Sequence, residues 1–221
     1  MATVTAAGPK LTKGEKTRLR ILDAALSVIA TQGLRAVTHR AVAAEAGVQL
    51  SLTTYYFKDR QELIEEAFAL FCEGSRPGYQ KVWAGVFNYL DHYTPTELRK
   101  TTVREKICAD LSELATDYLV EQVREKPVRL AVEQVFFTEA RLAPRLRAMA
   151  TEHRNTLLAP LVQMCARFNK QDPELDAELL LDTMTRLEYD ALVTETTGID
   201  RDHIARLLRR QIGWALGLRS A

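Results

Sequence analysis

The residues best equipped for chemistry lie between positions 36 and 63, in the stretch AVTHRAVAAEAGVQLSLTTYYFKDRQEL. Gln49, Ser51, Thr54 and Tyr55 carry hydrogen-bond donors and acceptors, Leu50 offers an apolar contact, and Lys58 supplies a cation just downstream. Such a set does not cleave or transfer anything. It is suited to reading base edges, where amides and hydroxyls pair with the donor and acceptor pattern of a groove and an apolar side chain touches a thymine methyl. His39 and Arg40, beside Thr38, are expected either to reach phosphate or to be an ordinary solvated helix face. Catalytic sets are missing. His39, His92, His153 and His203 stand singly, Asp91-His92 reads as a helix end, and the chain has no His-Glu-x-x-His pair, phosphate loop, dinucleotide glycine fingerprint or nucleophile elbow. Neither an enzyme nor a metal or other cofactor is expected.

Holding these residues outward requires two short helices and a tight turn. The Thr38 hydroxyl can cap a helix over 39–46 with Val42 facing inward, Gly47-Val48 turns the chain, and a third segment runs from Gln49 to Phe57. This is a helix-turn-helix, in which one helix buttresses and the next is narrow enough to enter a major groove. Upstream, Ile21, Leu22, Ala25, Val28 and Ile29 make one apolar stripe of a helix that begins at Glu15 and ends at Gly33. Residues 1–14 read as a flexible basic arm. Lys10, Lys13, Lys16 and Arg18 either follow a minor groove or are simply solvated. Downstream, Leu63, Ile64, Ala67, Phe68 and Phe71 face inward from a fourth helix that the cluster Glu73-Gly74-Ser75-Arg76-Pro77-Gly78 is expected to end.

Thr38, Ala43-x-x-Ala46-Gly47-Val48, Thr54-Tyr55-Tyr56-Phe57-Lys58 and Leu63 together resemble the N-terminal signature of the tetracycline-repressor (TetR) family, over roughly residues 15–64. The resemblance implies that Thr38, nearby backbone N–H groups and Tyr56 contact phosphate, and that Lys58 anchors the far flank of the groove. It also implies that Gln49, Leu50, Ser51, Thr54 and Tyr55 read bases while Thr53 and Phe57 pack inward. Leucine at positions 50 and 52 departs from the commoner pattern, so no operator sequence can be borrowed.

Charge is divided unevenly along the 221 residues: residues 1–60 hold nine Lys/Arg against four Asp/Glu, and the remainder 21 against 25. A basic head on a mildly acidic body fits a nucleic-acid module joined to something else. Cys72, Cys108 and Cys165 form no disulfide or zinc spacing, there is no signal peptide, and no apolar run reaches membrane-span length, so a cytoplasmic protein without membrane contact is expected. Beyond position 78 only helices are legible, over 79–93, 96–125 (broken near its start), 127–141, 144–170 with a kink at Pro160, 173–197 and 200–216. The expected fold is therefore all-α: a three-helix helix-turn-helix domain over residues 15–60, and a C-terminal helical ligand-binding and dimerisation domain over 61–221.

Leu179-Leu180-Leu181, Met184 and Leu187, together with Ile204, Leu207, Leu208, Ile212 and Trp214, suit two apolar helices that pair with their symmetry mates in a homodimer. Trp83, Phe87, Tyr118, Phe136, Phe137, Met164 and Met184 are the large or soft residues expected around a small-molecule effector, with Glu133 and Glu188 as polar contacts. Phe168 and His153 are further candidates. The function this implies is a dimeric repressor that binds a palindromic double-stranded DNA operator and is released by a small-molecule effector. A helical protein-interaction adaptor without DNA binding is the alternative.

Overall fold

The computed structural model describes residues 11–139, 143–193 and 199–218. Residues 1–10 of the expected arm, and the expected helix ends at 140–141 and 194–197, lie outside them. Nine α-helices and no strand occur among the described residues: α1 Lys13–Gln32, α2 His39–Ala46, α3 Leu50–Tyr56, α4 Arg60–Leu90, α5 Thr101–Glu125, α6 Pro127–Glu139, α7 Pro144–Cys165, α8 Pro173–Val193 and α9 Arg201–Ala215. They divide into two compact units, Met1–Phe71 and Cys72–Ala221, and α4 contributes residues to both.

In the first unit α1 starts earlier than its sequence suggests, because Thr12 builds a capping box. The Thr12 Oγ1 accepts from the Glu15 N–H at 3.2 Å, and the Thr12 N–H donates to the Glu15 carboxylate at 2.7 Å. Two orphan donors of the first turn are thereby satisfied, and Lys13 and Gly14 become helical rather than part of the arm. Ile21, Ala25 and Ile29 on the inner stripe of α1 are fully buried, as are Val37, Val42, Leu63 and Phe68 of the same unit. Arg60 fastens the start of α4 to the loop before α2, its guanidinium donating to the carbonyls of Val37 and Leu34.

α4 corrects one expectation. It runs through Gly74, Pro77 and Gly78 without ending, and absorbs the separate helix expected over 79–93. Gly74, Pro77 and Gly78 are all exposed, spaced three and four apart on the outward face, while Ser75 and Val86 are buried. The breakers therefore remove helix propensity without removing core contacts, and tertiary packing overrides propensity of that size.

In the second unit α8 packs against α5, α6, α7 and α9. Arg104 ties three separate segments together, donating to the carbonyls of Leu98 at 2.7 Å, Leu216 at 2.8 Å and Phe168 at 3.3 Å. A 3₁₀ turn, Glu97–Arg99, is the break expected before α5. α7 keeps Pro160 inside the helix but stops at Cys165, short of the expected position 170.

Candidate functional sites

The first site is built on α2 and α3. Thr38 caps α2, its Oγ1 accepting from the Ala41 N–H at 3.1 Å, which leaves the hydroxyl proton of this exposed residue available to an outside acceptor. Gly47, at φ 61°, takes the left-handed conformation that turns the chain, and its neighbour Val48 donates to Ala43 O at 3.0 Å. Thr53 is completely buried and locks the turn: its hydroxyl lies 2.8 Å from Leu50 O and 3.4 Å from His39 O. Phe57 closes α3 into the core, with the Arg18 guanidinium 5.4 Å from its ring centroid.

With Thr53 and Phe57 fixed inside, Leu50, Ser51, Thr54 and Tyr55 are exposed along the opposite face of α3, and Gln49 is exposed at its cap. Tyr55 is 78% exposed and Leu50 45%, degrees no core requirement explains. Lys58 is exposed immediately beyond α3. Its backbone N–H donates to the Glu62 carboxylate at 2.7 Å, while Asp59 accepts from the Glu62 N–H at 2.8 Å, so the loop under the lysine is firmly set. Tyr56 is half-buried, its hydroxyl close to Gly14. Arg40 is exposed, but His39 is half-buried, and its Nδ1 is enclosed without a hydrogen-bond partner. Arg60, which the motif did not single out, is the residue that holds the loop before Thr38 in place.

The second site is a cavity of about 110 Å³ inside the second unit, walled by residues from all six helices α4–α9. Of the residues expected around an effector, Trp83, Tyr118, Glu133, Met164, Met184 and Glu188 line it. Phe87, Phe136 and Phe137 do not. Phe87 lies beside the Arg167 guanidinium at 5.3 Å, Phe136 is buried elsewhere, and Phe137 stacks on His153 at 5.9 Å. Phe168 is also outside the wall, with Arg104 5.9 Å from its ring. His153 is buried behind the wall, where its Nε2 lies 2.7 Å from the Glu133 carboxylate. Tyr79, Gln122 and Arg129 line the cavity without having been expected there. An arginine four residues before Glu133, one turn away on the same helix, was the available signal.

Burial raises Glu188, Tyr118 and Tyr79 of this wall. Desolvation first and the Glu133 charge second push Glu188 up to about 8, against a smaller opposite pull from Arg129. Tyr118 is pushed up to about 12 by desolvation, and Tyr79 rises further for the same reason. Outside, a surface cleft of about 640 Å³ between α4 and α5 shares Tyr79, Leu114, Tyr118 and Arg129 with the cavity, so one layer of side chains divides the two.

A third feature lies on α8 and α9. Leu179 and Leu207 border a cleft of about 660 Å³ and are 48% and 38% exposed, and Trp214 is 50% exposed. No group of His, Cys, Asp and Glu fit to hold a metal occurs among the described residues. No helix among them is long and apolar enough to cross a membrane.

Residues 21–67 match the family described as bacterial regulatory proteins, tetR family, and residues 109–214 match the tetracyclin repressor-like C-terminal domain. Among solved structures, the chain is similar to a transcriptional regulator from Rhodococcus sp. Rha1, at 20% identity over 90% of this chain and 96% of that one, with a TM-score of 0.67. A member of the TetR family from Streptomyces coelicolor A3 is 25% identical over 89% of this chain and 98% of its own, with a TM-score of 0.60. The multidrug binding protein EbrR, solved in complex with malachite green, is 24% identical over 88% and 96%, with a TM-score of 0.59. No curated protein matches the chain significantly.

Proposed function

The chain belongs to the TetR family of DNA-binding, ligand-responsive transcriptional regulators, and from that premise we propose a dimeric repressor that grips a palindromic operator through α3 and releases it when a small molecule enters the cavity of the second unit. The observation that carries this reading is the division of α3 into a locked inner face, Thr53 with Phe57 just beyond, and an outer face on which Leu50, Ser51, Thr54 and Tyr55 are all exposed.

The roles follow from the geometry. Gln49, Ser51 and Thr54 present donors and acceptors to base edges, and Leu50 presents an apolar surface suited to a thymine methyl. Thr38, already accepting from its own helix, has its hydroxyl proton left to donate to a phosphate oxygen, beside the unsatisfied first N–H groups of α2. Lys58 and Arg40 add charge that neutralises phosphate without choosing a sequence. Two such heads must meet half-sites about 34–36 Å apart, which a monomer cannot do. The exposed Leu179, Leu207 and Trp214 on α8 and α9 are suited to pairing with the same residues of a second copy.

Release needs a ligand that favours a conformation DNA does not. Trp83 and Val86 of α4 belong to the cavity wall, and Leu63, Ile64 and Phe68 of the same helix belong to the core behind the reading face. Displacing the first group therefore acts on the element that supports the second. We read the chain as a regulator without an enzymatic step and as a cytoplasmic protein. A protein-interaction adaptor would leave the outer face of α3 unexplained.

The deciding experiment is selection of bound genomic fragments by the purified protein, followed by a salt titration on the best duplex. A palindromic site whose affinity falls steeply with salt is expected. Failure to enrich any fragment at low salt, or an affinity indifferent to salt, would overturn the reading.

A further inference from the structure

The cavity is chemically lopsided. Its residues from α7 and α9, among them Leu157, Met164 and Leu208, are apolar, and its charged groups come from α6 and α8 alone: Arg129, Glu133 and Glu188. Glu133 is committed to His153, 2.7 Å away. Arg129 Nη1 donates to the Gln122 side-chain amide oxygen, Oε1, at 3.4 Å. Glu188 is different, for its half-buried carboxyl makes no hydrogen bond or ion pair among the described residues although it sits in the wall of a mostly apolar cavity. A carboxyl in that position costs folding free energy and supports no neighbour. Glutamine or leucine would fill similar space at lower cost, so the group is better explained by something that enters the cavity.

The surroundings decide what enters. An anion would meet Arg129 but also two carboxyl groups. A neutral apolar molecule would leave Glu188 as unsatisfied as before. A cation supplies the direct partner that Glu188 lacks and that Arg129 provides only at a distance, and the aromatic rings of Trp83 and Tyr118 in the same wall suit positive charge as well. We propose that the cavity takes a small organic cation with an apolar body, its positive centre seated against the Glu188 carboxylate and the rings of Trp83 and Tyr118. This rests on the reading of the cavity as the effector site.

Cation uptake is then coupled to a proton. With its carboxyl held up to about 8 by burial and by Glu133, Glu188 is mostly protonated in the empty protein at neutral pH, and the entering cation expels that proton to solvent. The groups around Glu188 are Glu133 and Arg129 on α6, Tyr118 on α5, Tyr79 on α4 and Tyr189 beside it on α8, with His153 of α7 behind Glu133. The α9 wall residues, Leu208 and Ile212, do not titrate. Tyr118 is pushed up to about 12, and Tyr79 and Tyr189 are raised by burial as well, so none of them ionises between pH 6 and 9.

The test is calorimetry on the intact protein without DNA, with phenyltrimethylammonium as the permanently charged probe and tert-butylbenzene as its neutral isostere. The cation is expected to bind more tightly at pH 8.5, to gain about tenfold in affinity per pH unit from pH 6 towards 8, and to level off above. The neutral isostere is expected to show no such rise. Glu188→Gln is expected to abolish both the preference for the cation and its pH slope. Retained binding of tert-butylbenzene in this variant shows that the cavity is intact. A neutral isostere that binds as tightly as the cation at every pH, a Glu188→Gln variant that keeps the preference, or binding of neither probe overturns the proposal. Release of a bound duplex is measured separately. Cation binding without release refutes the effector role alone, whereas release by other compounds with no cation binding refutes the cation alone.

Discussion

Glu188→Gln should stabilise the empty protein, and increasingly so as the pH rises. In the unfolded chain the carboxyl ionises near its ordinary value of 4.5, but in the folded cavity it holds its proton up to about 8. Below pH 4.5 both states are protonated and the group carries no penalty. Between the two values the unfolded state releases a proton that the folded state retains, so stability falls by about 1.4 kcal/mol per pH unit. The loss from this group is about 3 kcal/mol by pH 7 and on the order of 5 kcal/mol above pH 8, where it stops growing. Glutamine cannot ionise, and any cost of its buried amide is the same at every pH, so it shifts the curve without changing its slope. Both tryptophans, Trp83 and Trp214, lie in the Cys72–Ala221 unit, and their fluorescence during urea unfolding reports on that unit. Measured from pH 5 to 9, the stability difference between the two proteins should widen up to pH 8 and then stay constant. Parallel curves across that range would refute the account of Glu188 as an acid that the cavity wall holds protonated.

Lys58→Ala should weaken binding to every duplex by a similar factor and lower the salt slope by about 0.9, as expected for one phosphate contact, and an unchanged slope would remove Lys58 from the interface. Gln49→Ala or Thr54→Ala should instead change which base pairs are preferred at one position of the half-site, as read by repeating the fragment selection. Phe57→Ala empties a fully buried site and should cost about 3–5 kcal/mol of stability in the first unit, and an unchanged unfolding profile by backbone circular dichroism would contradict its burial. Leu207→Glu places a charge at an exposed apolar position of α9 and should abolish the proposed dimer in sedimentation, with loss of operator binding. A variant that stays dimeric would move the interface elsewhere.

The reading helix was legible because its determinants are local. Thr38 at a cap, Gly47 in a left-handed turn, and Phe57 inward with Leu50, Thr54 and Tyr55 outward follow from residue type and helical spacing within twenty positions. The extent of α4 was not legible from breaker composition, because Gly74, Pro77 and Gly78 act on the backbone while packing elsewhere along the helix decides its fate. Their own three- and four-residue spacing, which puts them together on the solvent side, was the readable sign that the helix survives them. The cavity was legible in chemistry but not in membership. Aromatic character put Trp83 and Tyr118 in the wall, yet it equally suggested Phe87, Phe136 and Phe137, whose helical faces point them elsewhere. Which face of a helix lines a void depends on how six helices meet, and no local pattern encodes that.

The size of the cavity bears on how a ligand could act. At about 110 Å³ it is smaller than the roughly 150 Å³ void that admits benzene in an engineered core, so a ligand of any chemical complexity must move side chains to enter. The wall toward the outer cleft is a single layer that includes Tyr79, Tyr118 and Arg129, and the Tyr79 hydroxyl is bonded to the Leu157 carbonyl of α7. Opening there breaks a contact between α4 and α7, whereas filling the void from within would press on apolar side chains that close packing leaves little room to yield. The binding energy recovered at Glu188 must offset that disruption. An empty protein that already bears the cost of an unpartnered acid has that much less to lose by rearranging around a ligand that relieves it. The same residue that weakens the empty fold thus supplies the differential affinity without which a ligand cannot shift a conformational equilibrium, however tightly it binds.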